Sequence, residues 1–126
     1  MVGLVVVSHS AKAAEGIVEV AAEMGGDTVL VAAGGDGHGG IGTDPDAISD
    51  ALTDADDGDG VVVLVDLGSA VMNAEVAIEM HDGDAVIADA PVLEGAVNAA
   101  VAATDPNATL ESVVEQAEAA ADLSKL

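Results

Sequence analysis

Three histidines and twenty-four carboxylates supply most of the reactive groups in this 126-residue chain, which has no cysteine and no aromatic side chain of the Phe, Tyr or Trp type. Among them His9, in Val5-Val-Val-Ser-His-Ser10, is the best placed for chemistry. The uncharged run that begins at Gly3 has the length and β-branched content of a fully buried strand, and it stops at Ser8. His9 is thereby delivered to the carboxyl end of a strand, the end at which open α/β sheets bind ligands. A second such run, Val61 to Val65, ends in Asp66. A carboxylate that accepts the proton of one imidazole nitrogen fixes the tautomer, leaves a lone pair on the other nitrogen, and stabilises the cationic ring formed on attack. Ser8, Ser10, Thr43 and Ser69 add hydroxyls, and the turns carrying Gly34, Gly35 and Gly68 bring backbone amides to the same end. Such a constellation suits the carriage of a phosphoryl group on His9. By position alone His9 is equally a cap for the first helix; Asp66 is what favours chemistry.

The elements that must position these groups follow from periodicity. Lys12 to Met24 reads as a helix with Ala13, Ile17, Val20, Ala21 and Met24 on one face and Glu15, Glu19 and Glu23 on another, ended by Gly25-Gly26. Thr28 to Ala33 is the second strand, so strand, helix and strand form a βαβ unit, with a parallel pair and a right-handed crossover. Asp44 and Pro45 are the N-cap and first residue of a second helix that reaches about Thr53, and Asp54 to Gly60 reads as a solvated acidic turn. Leu67-Gly68-Ser69 leads into a third helix ending near Met80, with Ala70, Met72, Ala77 and Met80 as candidate buried residues. Asp84 to Ala88 is a fourth strand, and Pro91 to Ala103 and Thr109 to Leu123 are helices separated by Asp105-Pro106. The expected fold is α/β: a three-layer, doubly wound, mostly parallel sheet of order 2-1-3-4 with helices on both faces, forming one domain over residues 1–126. That order puts a topological switch point between strands one and three, with His9 and Asp66 facing across it.

The loop Gly34 to Thr43 contains Gly35-Asp-Gly37-His-Gly39-Gly40, a formal match to Gly-x-Gly-x-x-Gly. A dinucleotide site needs those glycines between the first strand and its helix, whereas here they follow strand two. The loop reads as a flexible active-site loop with His38 in its mobile part, and His81 as a histidine at a helix end favoured by the dipole. No metal site and no cofactor is expected, since the acidic runs lack a defined metal-loop spacing.

Composition bounds the partners. With only two lysines and no arginine, the formal charge is −22. Affinity for nucleic acid or anionic membrane rests on cationic side chains, so neither partner is expected. Self-repulsion on this scale is relieved when molar salt shortens the Debye length to roughly 3 Å, which points to a salt-loaded, haloarchaeal-like cytoplasm. The apolar content of 51% argues against disorder. There is no apolar run long enough to span a bilayer and no signal-peptide pattern, so a cytoplasmic location is expected.

Taken together, Val5-Val-Val-Ser-His-Ser10, Gly40-Ile-Gly-Thr-Asp44, Val65-Asp-Leu-Gly-Ser-Ala70 with Met72-Asn-Ala-Glu75, and Ala90-Pro-Val-Leu-Glu-Gly95 resemble the phosphocarrier subunits of phosphotransferase-dependent dihydroxyacetone kinases, within the mannose-type IIA family. The resemblance runs nearly end to end. It implies that His9 accepts a phosphoryl group from the carrier HPr and passes it to ADP on a DhaL subunit, the resulting ATP serving dihydroxyacetone on DhaK. Some relatives continue into HPr-like and enzyme-I-like domains, so the chain is expected to depend on separate carriers.

Two alternatives of other classes stand beside this reading. A receiver-like signalling domain would use Asp66 as phosphoacceptor, but Ser8-His9-Ser10 stands where its acidic pair belongs. A non-catalytic small-ligand or flavin module would share the crevice but lacks any aromatic to stack on a flavin. A homodimer is also expected, from the resemblance and from the apolar character of Ala96 to Ala103 and of the Met72 to Met80 helix. The competing expectation is that the last helix folds back over that surface.

Overall fold

The two runs of uncharged, mostly β-branched residues lie side by side at the centre of the sheet. In the computed structural model, which describes residues 1–126, strand β1 (Gly3–Ser8) pairs with β3 (Val61–Val65) on one side and with β2 (Leu30–Gly34) on the other. The short β4 (Ala85–Ile87) completes an all-parallel sheet of order 2-1-3-4, as the sequence implied. The register places Val7 opposite both Ala33 and Val65, so the chain leaves β1 and β3 at the same level. His9 and Asp66 are neighbours because of that register.

Successive strand residues point to opposite faces, and both faces are covered, which is why the central strands carry no polar alternation. Leu4, Val6, Val62 and Leu64 pack on one layer, formed by α1 (Ala11–Met24), α4 (Val92–Ala103) and α5 (Leu110–Ala119). Val5, Val7, Val61 and Val63 pack on the other, formed by α2 (Pro45–Ala55) and α3 (Ser69–Met80). Without aromatics the helices approach the sheet closely through alanine. Ala14, Ala21, Ala96, Ala99 and Ala100 are fully buried on the first face, and Ala70, Ala74 and Ala77 on the second. Gly3 belongs to the same economy, since a Cβ there would collide with the carbonyl of Ala55 at the end of α2. In so close-packed a core, truncating Leu64 to alanine would cost about 2–5 kcal/mol.

Several expectations are corrected. The face of α1 turned to the core holds Ala14, Ile17, Val18 and Ala21, while Ala13, Val20 and Met24 are exposed. In α3 it is the alanines that face inward, and Met72 and Met80 stand out in solvent. Alanine-lined faces permit the nearest approach of helix to sheet, and the larger side chains are displaced outward. Strand β2 starts at Leu30, because Thr28 is still in the turn, where its hydroxyl donates to the Ala100 carbonyl. The last helix ends at Ala119 and tightens to a 3-10 turn over Ala120–Asp122. The last helix packs along α4, as the competing expectation had it, and Ala96, Ala99, Ala100 and Ala103 are buried, while Val101 stays 47% exposed.

Candidate functional site

Ser8, His9 and Ser10 form the crossing from β1 to α1, and their polar atoms converge on Asp66. Ser8, buried at 1% exposure, donates its hydroxyl to Asp66 Oδ2 at 2.9 Å. The His9 backbone N–H donates to the same oxygen at 3.0 Å. His9 Nδ1 lies 2.9 Å from Asp66 Oδ1. Burial pushes the Asp66 carboxyl up, but the hydrogen bonds from the His9 backbone, the His9 ring and Ser8 together outweigh it and hold the group below the ordinary carboxylate range. An ionised carboxylate only accepts, so the proton of the neutral imidazole sits on Nδ1 and the lone pair on Nε2. Ser69 Oγ, at the start of α3, stands 2.8 Å from Nε2 and donates to it.

Both oxygens of Asp66 are thus engaged in holding His9, which leaves Asp66 an orienting group and not a free nucleophile. Ser8 and Ser10 have structural duties. Ser8 holds Asp66, and Ser10 is the N-cap of α1, its hydroxyl accepting the Ala13 N–H at 3.2 Å while its own N–H donates to Ser8 Oγ at 3.1 Å. The Ser8 hydroxyl proton is thus committed to Asp66, whereas the Ser10 hydroxyl, which only accepts here, keeps its own. Gly68 precedes α3 with ordinary helical φ of −57°, and no side chain caps that helix.

The glycine-rich loop is tied down on every side. Gly35 N–H donates to the Ser8 carbonyl at 3.2 Å and Gly42 N–H to the His9 carbonyl at 2.8 Å. Inside the loop, Asp36 Oδ1 accepts the His38 and Gly40 N–H groups at 2.8 and 2.9 Å, which hold its carboxyl below the usual range. Gly35, Gly37 and Gly39 have φ of 83°, 84° and 85°, a conformation that favours glycine. At Gly34 a Cβ would meet the Ser10 carbonyl at 2.5 Å, so the loop lies directly on the start of α1. Backbone bonds thus order both ends of the loop and its inner turn, while residues 37–41, His38 among them, stay exposed.

One contributor escaped the sequence reading. Asn73 Nδ2 donates to Thr43 Oγ1 at 2.7 Å, joining the end of the loop to α3. Its signal was the spacing: Asn73 lies four residues after Ser69, one helical turn along the same face. With its oxygen accepting from Asn73, the Thr43 hydroxyl keeps its own proton to donate. No group of three or more histidine, cysteine or acidic side chains is arranged to hold a metal ion.

His81 also has a partner the sequence did not suggest. Its Nε2 lies 2.7 Å from Asp56 Oδ2, with the two side chains only 9% and 13% exposed. Asp56 is held below the ordinary carboxylate range by the Gly58 N–H and then by His81. The other acids of the turn are solvent-exposed as expected, the amino group of Met1 pairing at the surface with Asp57 at 3.0 Å and with Asp59.

Comparison with known proteins agrees with this fold and gives the family. Residues 3–116 match the family model EIIA-man, the PTS system fructose IIA component. The chain is 41% identical over 106 residues to the PEP-dependent dihydroxyacetone kinase 2 phosphoryl donor subunit DhaM of Listeria innocua, covering 80% of this chain and 85% of that protein. It is 37% identical over 116 residues to the phosphotransferase subunit DhaM of the PTS-dependent dihydroxyacetone kinase of Lactococcus lactis, covering 92% and 93%. The DhaM subunit of Klebsiella michiganensis is 38% identical over 125 residues, but the match spans only 26% of that longer protein. Among solved structures, the unknown-function protein EF1359 superposes with a TM-score of 0.80 at 31% identity over 93% of this chain and 92% of that one. The EIIA component from Streptococcus agalactiae, at 16% identity, shares the fold with a TM-score of 0.71 over 97% of this chain and 93% of that one.

Proposed function

The chain belongs to the EIIA-man family of PTS fructose IIA components, and we propose from that premise that it is the phosphocarrier of a phosphotransferase-dependent dihydroxyacetone kinase. Its DhaM relatives are named as phosphoryl donor subunits of such kinases. The observation that carries the reading is the suspension of His9 between Asp66 at Nδ1 and Ser69 at Nε2. In the loading step the Nε2 lone pair forms a bond to the phosphorus of a donor phosphohistidine as the bond from that phosphorus to the donor nitrogen breaks. The His9 ring becomes cationic with its Nδ1 proton in place, and Asp66 is already positioned to stabilise it. Ser69 yields Nε2 to the phosphoryl group and can then donate to one of its oxygens, as can Thr43. Unloading reverses the balance: an oxygen of the acceptor diphosphate bonds to phosphorus, the N–P electron pair returns to Nε2, and no proton need be moved.

The donor in this reading is HPr, the acceptor ADP on a DhaL subunit, and DhaK is reached through the ATP formed. The proposed location is the cytoplasm, where such a donor and ADP are available; separately, no helix is long and apolar enough to cross a membrane. A homodimer is proposed on the face that remains uncovered, where Met72, Val76 and Met80 line α3 and Val86 stands exposed on the edge strand β4. Incubation with radiolabelled phosphoenolpyruvate, enzyme I and HPr should label the chain, and a chase with ADP and DhaL should discharge the label into ATP. A chain that takes no label, or that keeps it through the chase, would contradict the assignment.

A further inference from the structure

A cleft of about 300 Å³ opens between the start of α1 and the glycine-rich loop, lined by Ser10, the residue next to His9, and by Lys12, Gly35, Gly37, Gly40 and Ile41 among others. Its charge sets it apart. The neighbouring cleft beyond Asp66 contains Glu75 and Asp89, that around His81 contains Asp56 and Asp82, and two more contain Asp59 with Asp105 and Asp105 with Glu115. In a chain with 24 acidic residues, the cleft at Lys12 is lined by none, and it holds one of only two lysines. The other, Lys125, is paired with Glu94, and the terminal amino group with Asp57 and Asp59, whereas Lys12 pairs with no carboxylate. It is moreover in the first turn of α1, the end at which the helix dipole disfavours a cation, so helix stability does not account for it.

We infer that this cleft, with the ammonium group of Lys12, receives the diphosphate of the acceptor nucleotide while His9 hands over its phosphoryl group. The inference rests on the phosphocarrier reading and deepens it. Transfer brings a phosphorylated histidine and a nucleotide diphosphate together on a molecule of net charge −22. A point cation three residues after His9, held in no ion pair although Glu15 lies one turn along the helix, and flanked by glycine backbone, offsets part of that repulsion. The N–P bond at His9 breaks and the new O–P bond forms as in the unloading step above, so Lys12 acts as a positioning and specificity residue and exchanges no proton.

The test is rapid-quench transfer from the [32P]phosphoprotein to ADP-loaded acceptor subunit in molar potassium chloride, where the general field of the protein is screened and contact charge remains. Lys12→Gln should slow transfer at subsaturating acceptor, or raise the KM for it, by about tenfold, the scale of one charge-assisted contact, and Lys12→Arg should restore most of it. Loading from HPr and spontaneous hydrolysis of the phosphohistidine should stay near wild type. Unchanged transfer in Lys12→Gln, or loading slowed by the same factor as unloading, would overturn the inference while leaving His9 as carrier. A wild-type chain that is never phosphorylated would overturn both.

Discussion

Two histidine–carboxylate pairs lie at opposite ends of this sheet, and their contrast separates a reactive arrangement from a structural one. His9–Asp66 stands where β1 and β3 end, His81–Asp56 where α3 and α2 run out before β4 and β3 begin. The distances barely differ, at 2.9 and 2.7 Å. What differs is the second nitrogen and the surroundings. At His9 the carboxylate takes Nδ1, and Nε2 meets only a hydroxyl that can give way. At His81 the carboxylate takes Nε2, and the ring is nearly enclosed in a cleft shared with Asp82. A dianionic phosphoryl group would be repelled there, whereas His9 is surrounded by serines of the β1 turn and of α3 and by the glycine-rich loop that ends in Thr43. In the function proposed above the first pair accepts the phosphoryl group, and the second ties the end of α3 to the end of α2.

The contrast breaks most sharply on the histidines themselves. His9→Ala should abolish labelling, while His81→Ala should retain it at near wild-type extent. Labelling that survives the first change or vanishes in a folded second variant would reverse the assignments. The carboxylates come next. Asp66→Asn keeps the shape but favours the wrong tautomer, and single-turnover loading should fall by about 10²–10⁴-fold. Asp56→Asn should leave loading unchanged.

Salt acts on the whole surface and sharpens the comparison by separating global charge from local pairing. Thermal stability should rise steeply from dilute buffer to molar potassium chloride as the Debye length contracts to about 3 Å. The hydrogen-bonded His9–Asp66 geometry should be unaffected, so the phosphohistidine formed at low salt in still-folded protein should be of the same kind. A melting temperature independent of salt would contradict the charge argument. The smallest effect belongs to Asp56→Asn on stability, a loss of about 1–3 kcal/mol near neutral pH from one buried charge-assisted hydrogen bond. Its sign with pH follows from the lowered folded-state value. The stabilisation is present above the ordinary carboxylate value of 3.8 and is lost as pH falls through the lower folded value, so wild type and Asp56→Asn should converge in strong acid. Asp66 behaves alike, and its ionised role should persist at every pH above 3.8.

Much of this was legible in the sequence because strands β1 and β3 are unbroken β-branched runs, each ending at once in a polar residue. That fixed the sheet, its order and the meeting of His9 with Asp66. The helices were less legible. Where alanine is the commonest apolar residue of the helices, periodicity does not say which face is inward, and the larger Val20, Met24, Met72 and Met80 drew attention away from the alanines that pack. The partners of His81, of Asn73 and of Ala96–Ala103 depend on contacts between helices distant in sequence, which no local pattern records. The order within the glycine-rich loop likewise rests on Asp36, whose side chain gathers backbone amides that composition alone would leave free.

The central claim is that His9 carries the phosphoryl group on Nε2 with Asp66 holding Nδ1. Nitrogen-15 and phosphorus-31 NMR of the chain phosphorylated through enzyme I and HPr tests it directly. The account predicts a phosphorus coupling to His9 Nε2, a protonated Nδ1, and a linkage labile in acid and stable in alkali. Phosphorus on Nδ1, on His81, or on a carboxylate as an acyl phosphate labile in both acid and alkali would contradict it.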